Sequence, residues 1–176
     1  MARNAAFEIL YADYYVRVFG LCRRLLGSAE RAEDATQETF MRAYRSFNRY
    51  DTKQPFWQWI ATIANNHCVD LLRKDSKASV LFGSEAEEVE QLESGDASVL
   101  SDLISSEDAA AINDAVARLA PKYRVPLVLA YFNQFSYDQI ADQLKISRNH
   151  VGVLLLRAKE RLRADLAGRG GEGETT

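Results

Sequence analysis

The chain is poor in the side chains from which metal centres are built: its 176 residues include two Cys and two His. A structural zinc site takes four such ligands and a catalytic one three, and Cys22, Cys68, His67 and His150 show no paired ligand spacing. Cys22 and Cys68 each fall inside an apolar helical pattern, which marks them as reduced core thiols. There is no HExxH and no Gly-rich phosphate loop. No metal, no cofactor and no enzymatic activity are expected. Long apolar runs are missing too, none approaching the roughly 20 residues that cross a bilayer. Arg3 and Glu8 interrupt the start, where a signal peptide would carry an unbroken apolar core. The expected location is the cytoplasm, with no membrane insertion. Finally, positive charge is scarce: the net charge of −3 argues against a protein that grips duplex DNA unaided, because nonspecific affinity comes mainly from neutralised phosphates.

The charge that is present is unevenly placed. Residues 1–76 hold 11 Lys and Arg against 9 Asp and Glu, and residues 109–176 hold 10 against 7. Residues 77–108 carry one Lys and 9 acids. Two modules flank an acidic connector rich in Ser and Gly, which cannot build a packed core alone and is expected to be a flexible linker. The end of the chain, residues 169–176, lacks periodicity and is expected to be a disordered tail.

Both modules read as helical, giving an all-α fold of two small domains, 1–76 and 109–168. Phe7, Leu10, Tyr14, Val18, Leu21 and Leu25 recur at steps of three and four before Gly27, a C-cap residue. A second helix, about 29–47, buries Ala32, Thr36, Phe40, Ala43 and Phe47 and leaves Asp34, Glu38, Arg42 and Arg45 outward. A third follows Pro55, with Phe56, Ile60, Ile63, Ala64, Cys68 and Leu71 as its core stripe. Its polar side carries Gln58, Thr62, Asn66, Asp70 and Arg73, with Asn65 and Lys74 beside it; amides can read base edges, though such a stripe is more often plain surface. Trp57 and Trp59 could stack on unpaired bases or simply pack.

The last module begins with a helix about 106–119, then one that runs to about Asn133 with Pro126 bending its first turns. In "SYDQIADQLKISRNHVGVLLLRAKERLR", Ser136 and Gln139 have capping-box spacing, and Ile140, Ala141 and Leu144 share a face of a short helix. After a tight turn at Lys145, Ser147 caps another helix with Val151, Leu155, Ala158 and Leu162 inward. This is helix-turn-helix spacing, and it leaves Arg148, Asn149 and His150 at the base-reading end of the second helix. Arg157, Lys159, Arg161 and Arg163 follow, where they could hold phosphates.

In order, these pieces resemble sigma factors of the extracytoplasmic-function type, bacterial RNA polymerase subunits with regions 2 and 4 only. "AEDATQETFMRAY" is similar to the family's polymerase-binding helix, and the resemblance gives Asp34, Gln37, Glu38 and Arg42 that role. "FWQWIATIANNHCVDLLRK" resembles the segment that opens and reads the −10 promoter element, which implies DNA contact by Trp57, Asn65, Asn66, Asp70, Arg73 and Lys74. The helix-turn-helix would read the −35 element through Arg148, Asn149, His150, Arg157 and Lys159. The implied partners are core RNA polymerase, promoter DNA and an anti-sigma factor. The implied action is noncatalytic: promoter recognition and DNA melting for transcription initiation.

The chain departs from the family pattern at four places. Asn65 stands where a basic residue is usual, Lys145 where Gly is usual, and Gly152 and Leu154 where Lys and Arg are usual. With "VGVLLL" apolar on extra faces, either the −35 contact shifts to Arg148, Asn149 and His150, or a partner protein covers Val153, Leu154 and Leu156. The alternative to a sigma factor is an autonomous helix-turn-helix regulator, against which the net acidity counts.

Overall fold

The computed structural model describes residues 2–76, 81–83 and 109–170. Most of the acidic connector and residues 171–176 therefore lie outside the described residues, and the expectations of a flexible linker and a disordered tail fall largely on them. Every described element is helical, and the chain divides into two compact units, Met1–Asp75 and Ser76–Thr176.

The first unit is a three-helix bundle. Helix α1 (Ala2–Leu26) stops at Gly27, whose left-handed φ of 73° lets its N–H reach back to the Arg23 carbonyl at 2.8 Å. Helix α2 (Ala29–Ser46) starts at Ser28, whose side chain accepts from the Arg31 N–H. Its buried face is made of small residues and one ring: Ala32, Ala35, Thr36, Thr39, Phe40 and Ala43. The Thr36 and Thr39 hydroxyls donate to the carbonyls of Ala32 and Ala35, so neither is buried unsatisfied. A 3₁₀ turn, Phe47–Arg49, leads to α3 (Phe56–Asp75). Val18, Leu21 and Leu25 of α1 and Ile60 and Ala64 of α3 are fully enclosed in the core, each large side chain worth about 2 kcal/mol of burial. Cys22 and Cys68 are buried there as free thiols.

In α3 the observed core stripe is shifted from the expected one. Ile63 and Leu71 are only half-buried, while Ala61, Asn65, Val69 and Leu72 face inward. Aromatic rings close the end of the bundle where α1, the 3₁₀ turn and the start of α3 meet. Phe7 meets Phe47 edge-on at 5.3 Å between ring centres, and Trp59 lies against Tyr50 at 4.9 Å.

The second unit holds α4 (Ala109–Arg118), α5 (Pro121–Tyr131), α6 (Tyr137–Leu144) and α7 (Arg148–Gly170). Pro121 opens α5 and Pro126 lies buried inside it. Arg124 is almost fully buried, yet its guanidinium donates to the carbonyls of Ala117 and Leu119 at 3.1 Å, where α4 ends and its dipole is negative. Arg118 forms an ion pair with Asp165, which ties α4 to the far end of α7. Helix α7 is longer than expected and continues to Gly170, into the segment assigned to a tail.

Candidate functional site

Helix α2 turns the residues of one polar face outward. At 100° per residue, Asp34, Gln37, Glu38, Met41, Arg42 and Arg45 fall within one arc opposite the buried Ala32, Ala35, Thr36, Thr39, Phe40 and Ala43. Asp34, Gln37 and Arg42 are exposed and Glu38 is half-buried. The Glu38 carboxylate accepts from Arg42 Nε at 2.6 Å, and that hydrogen bond holds its pKa below the usual carboxylate value. His67 of α3 lies nearby, its imidazole pushed below its ordinary pKa first by burial and then by the Arg42 charge. Against the same face opens an apolar pocket of about 420 Å³, lined by Phe7, Tyr11, Gln37, Phe40, Met41, Tyr44 and Arg45. Sequence reasoning missed this patch. Its signal was the set of large apolar residues off the core stripes, notably Tyr11 and Met41, which stay 40% and 49% exposed.

On α3, Asn66, Asp70 and Lys74 are exposed along one side, and Arg73 is half-buried 3.9 Å from the Asp70 carboxylate. Asn65 does not join them. It is fully buried in the first unit, because its position falls on the inward side of α3 with Ala61, Ala64 and Cys68. The expectation that Asn65 contacts DNA is corrected: its amide is part of the core. Trp57 is half-buried at the start of α3, with the Arg17 guanidinium 3.8 Å over its ring and Tyr14 stacked nearly parallel to it. Trp59 packs among Phe47, Tyr50 and Phe56.

The helix-turn-helix has the expected local construction. Ser136 and Gln139 form a reciprocal capping box at the start of α6. Lys145 sits at φ 56°, ψ 45°, the left-handed conformation that costs a non-glycine residue on the order of 1 kcal/mol. Its turn is held by the Ile146 N–H on the Ala141 carbonyl, and Ser147 Oγ then accepts from the His150 N–H to cap α7. Arg148 and Asn149 are exposed at this end, while His150 and, two turns on, Arg157 are half-buried. Arg148 contacts the Asp138 carboxylate at 3.3 Å. His150 Nε2 lies 2.6 Å from the Phe82 carbonyl oxygen, a contact no sequence pattern announced.

Two expectations for α7 are overturned. Lys159 is 8% exposed, its ammonium 5.4 Å from the Tyr131 ring centre, so its stem is packing against α5 and not a free phosphate ligand. Leu154 is buried at 4% within the second unit itself, so no partner is needed to cover it. Of the apolar run, Leu156 is the residue that remains 42% exposed. A Cβ added at Gly152 would meet Tyr137 at 3.8 Å, an ordinary contact.

The family model for sigma-70 region 2 matches residues 10–78 and that for sigma-70 region 4 matches residues 109–162. The chain is 31% identical to the ECF RNA polymerase sigma factor SigW of Bacillus subtilis, over 92% of this chain and 89% of that protein. The chain belongs to the ECF RNA polymerase sigma factors. It is also 30% identical to the RNA polymerase sigma-H factor of Pseudomonas aeruginosa, over 88% of this chain and 83% of that one. Among solved structures it shares its fold with the sigma factor RpoE of Bartonella quintana, crystallised with the anti-sigma factor NepR, at a TM-score of 0.62 and 20% identity, covering 92% and 97% of the two chains. CnrH in complex with the cytosolic domain of CnrY is similar at a TM-score of 0.57 and 22% identity, covering 94% and 90%. In this sigma factor region 2 is therefore α1–α3 and region 4 is α4–α7. No described helix is long and apolar enough to cross a membrane, and no described cluster of His, Cys, Asp and Glu could hold a metal ion.

Proposed function

We propose that this sigma factor acts without catalysing a reaction, by dividing promoter use between its two units while core RNA polymerase supplies the chemistry. The exposed face of α2, with Asp34, Gln37, Glu38 and Arg42, docks on the core enzyme, and the apolar pocket beside Gln37 and Met41 adds dry contact area to that polar face. The outer side of α3, with Asn66, Asp70, Arg73 and Lys74 and with Trp57 at its start, receives the opened −10 strand. Extruding a base costs a few kcal/mol, which capture of the unstacked base offsets. Arg148, Asn149 and His150 read the −35 duplex in the major groove, and Arg157 reaches its phosphates. Such a protein works in the cytoplasm, where polymerase and promoter are. An anti-sigma factor is its expected regulator, with Leu156 the apolar contact α7 offers.

The observation that carries this reading is the exposure of three separate polar surfaces, on α2, α3 and the start of α7, in a chain whose net charge is −3. Such a chain selects DNA while a partner holds it. The Asp34→Lys/Gln37→Ala double variant should keep its melting temperature and lose at least about tenfold in affinity for core polymerase, equivalent to about 1.4 kcal/mol. A pull-down against purified core enzyme measures it, and unchanged capture removes α2 from the interface.

A further inference from the structure

We propose that residues Leu81–Gly83 of the acidic connector act as a built-in plug on the DNA-reading end of α7, which the free chain must release before that helix can enter a duplex. The inference rests on α6 and α7 being the −35 reader. Phe82 lies 68 residues before His150 in the chain, yet its carbonyl oxygen is 2.6 Å from His150 Nε2. A carbonyl can only accept, so the ring nitrogen facing it carries the proton and donates. The Phe82 side chain is only 5% exposed, although its neighbours in sequence belong to a segment with 9 acids and one Lys. That burial makes the ring the anchor of the segment. Gly83, directly after it, has φ 69°, a conformation that glycine adopts without the penalty a side chain imposes.

The plug engages His150, the third residue of α7. Arg148 is engaged separately by Asp138. Of the three residues at the reading end, two therefore have partners inside the unit, and a base edge must displace Phe82 to reach the His150 ring donor. Release is coupled to charge: a connector of net charge −8 is drawn toward a basic channel, so a partner with such a channel pulls the plug away as it binds. Region 4 is then freed for DNA when the sigma factor is on its partner.

The test uses the full chain and a fluorescein-labelled duplex carrying a −35 element selected by transcription with core polymerase. Phe82→Ala removes the anchor. Gly83→Val leaves Phe82 in place and disfavours the left-handed turn, so one variant spares the buried ring; circular dichroism melting confirms that each keeps its helices. Without polymerase, both variants should bind the duplex about tenfold more tightly than the unaltered chain, because the apparent affinity scales with the fraction of unplugged molecules. In long-range ¹H–¹⁵N spectra the Nε2–H signal of His150 should move in both variants. Equal duplex affinity for all three chains, with polymerase-bound chain still protecting the −35 element from nuclease, overturns the plug and leaves the reading of region 4 intact. Loss of that protection in the polymerase-bound chain overturns the reading and the plug together.

Discussion

In region 2, Asp34, Gln37, Arg42, Asn66, Asp70 and Lys74 stand on exposed helix faces. In region 4, two of the side chains expected to meet DNA are drawn inward, His150 to Phe82 and Lys159 against Tyr131, and the exposed Arg148 pairs with Asp138. The contrast follows from how the two units are built. Region 2 packs three long helices whose small buried residues on α2 let the helices approach, so its polar faces are left over. Region 4 packs four helices, two of them of 10 and 8 residues, and recruits amphipathic side chains such as Arg124 and Lys159 to finish its core. A charged residue on a region 2 helix is thus a better guide to a binding surface than one on a region 4 helix.

The sharpest way to break that contrast is on α7. Leu154→Arg puts a charge at a buried site and should cost region 4 about 3 kcal/mol or more, whereas Leu156→Arg, on the exposed side, should stay within about 0.5 kcal/mol. Chemical denaturation of the two variants measures the difference; equal stability would mean Leu154 is surface. Gly152→Lys, which meets Tyr137 only at ordinary contact distance, should instead raise stability by about 1 kcal/mol by removing a glycine from mid-helix.

A smaller effect separates two adjacent asparagines. Asn65→Ala should lose about 1–2 kcal/mol of stability, since it leaves a cavity at a fully buried position of the helix bundle. Asn66→Ala should leave the fold within about 0.5 kcal/mol and impair promoter opening. Permanganate reactivity of unpaired thymines, read beside thermal melts, distinguishes them; a melting defect from Asn65→Ala in a fully stable protein would return Asn65 to the DNA surface.

The smallest effect is on pH. Burial and Arg42 lower the His67 pKa, with Glu38 and Asp70 partly opposing and Lys74 adding to the shift. The unfolded chain therefore takes up the proton first as pH falls through about 6.5. Below that value region 2 loses stability, and the full contribution is present above it. His67→Gln should flatten the slope of melting temperature against pH between about 5.5 and 7.5; an unchanged slope would assign the dependence to another group.

Much of this was legible in the sequence because local chemistry decides it. The capping box of Ser136 and Gln139, the left-handed Lys145 and the Ser147 cap follow from backbone needs within a few residues. Where the reading failed, a neighbour distant in sequence decided. Asn65 differs from Asn66 by one step of helix rotation, and a polar stripe bordering a core does not reveal which side of the border an amide takes. Lys159 sits in a run of basic residues, and only the position of Tyr131 on α5 shows that this one is packed. Phe82 is a lone aromatic in an acidic connector, with no periodicity to tie it to α7. The extension of α7 to Gly170 was hidden by tail glycines, while the pairing of Asp165 with Arg118 holds the turn before them.

On the proposed function, region 2 and region 4 select promoters only together with core polymerase. Runoff transcription from a promoter library, with purified core enzyme and with each component omitted in turn, tests it most directly. Transcripts from discrete start sites are expected when both are present, none from either alone, and no tight, sequence-specific retention of the same DNA by this chain without polymerase. Tight, sequence-specific retention by the chain alone, with no core-dependent transcript, would contradict it and identify an autonomous helix-turn-helix regulator.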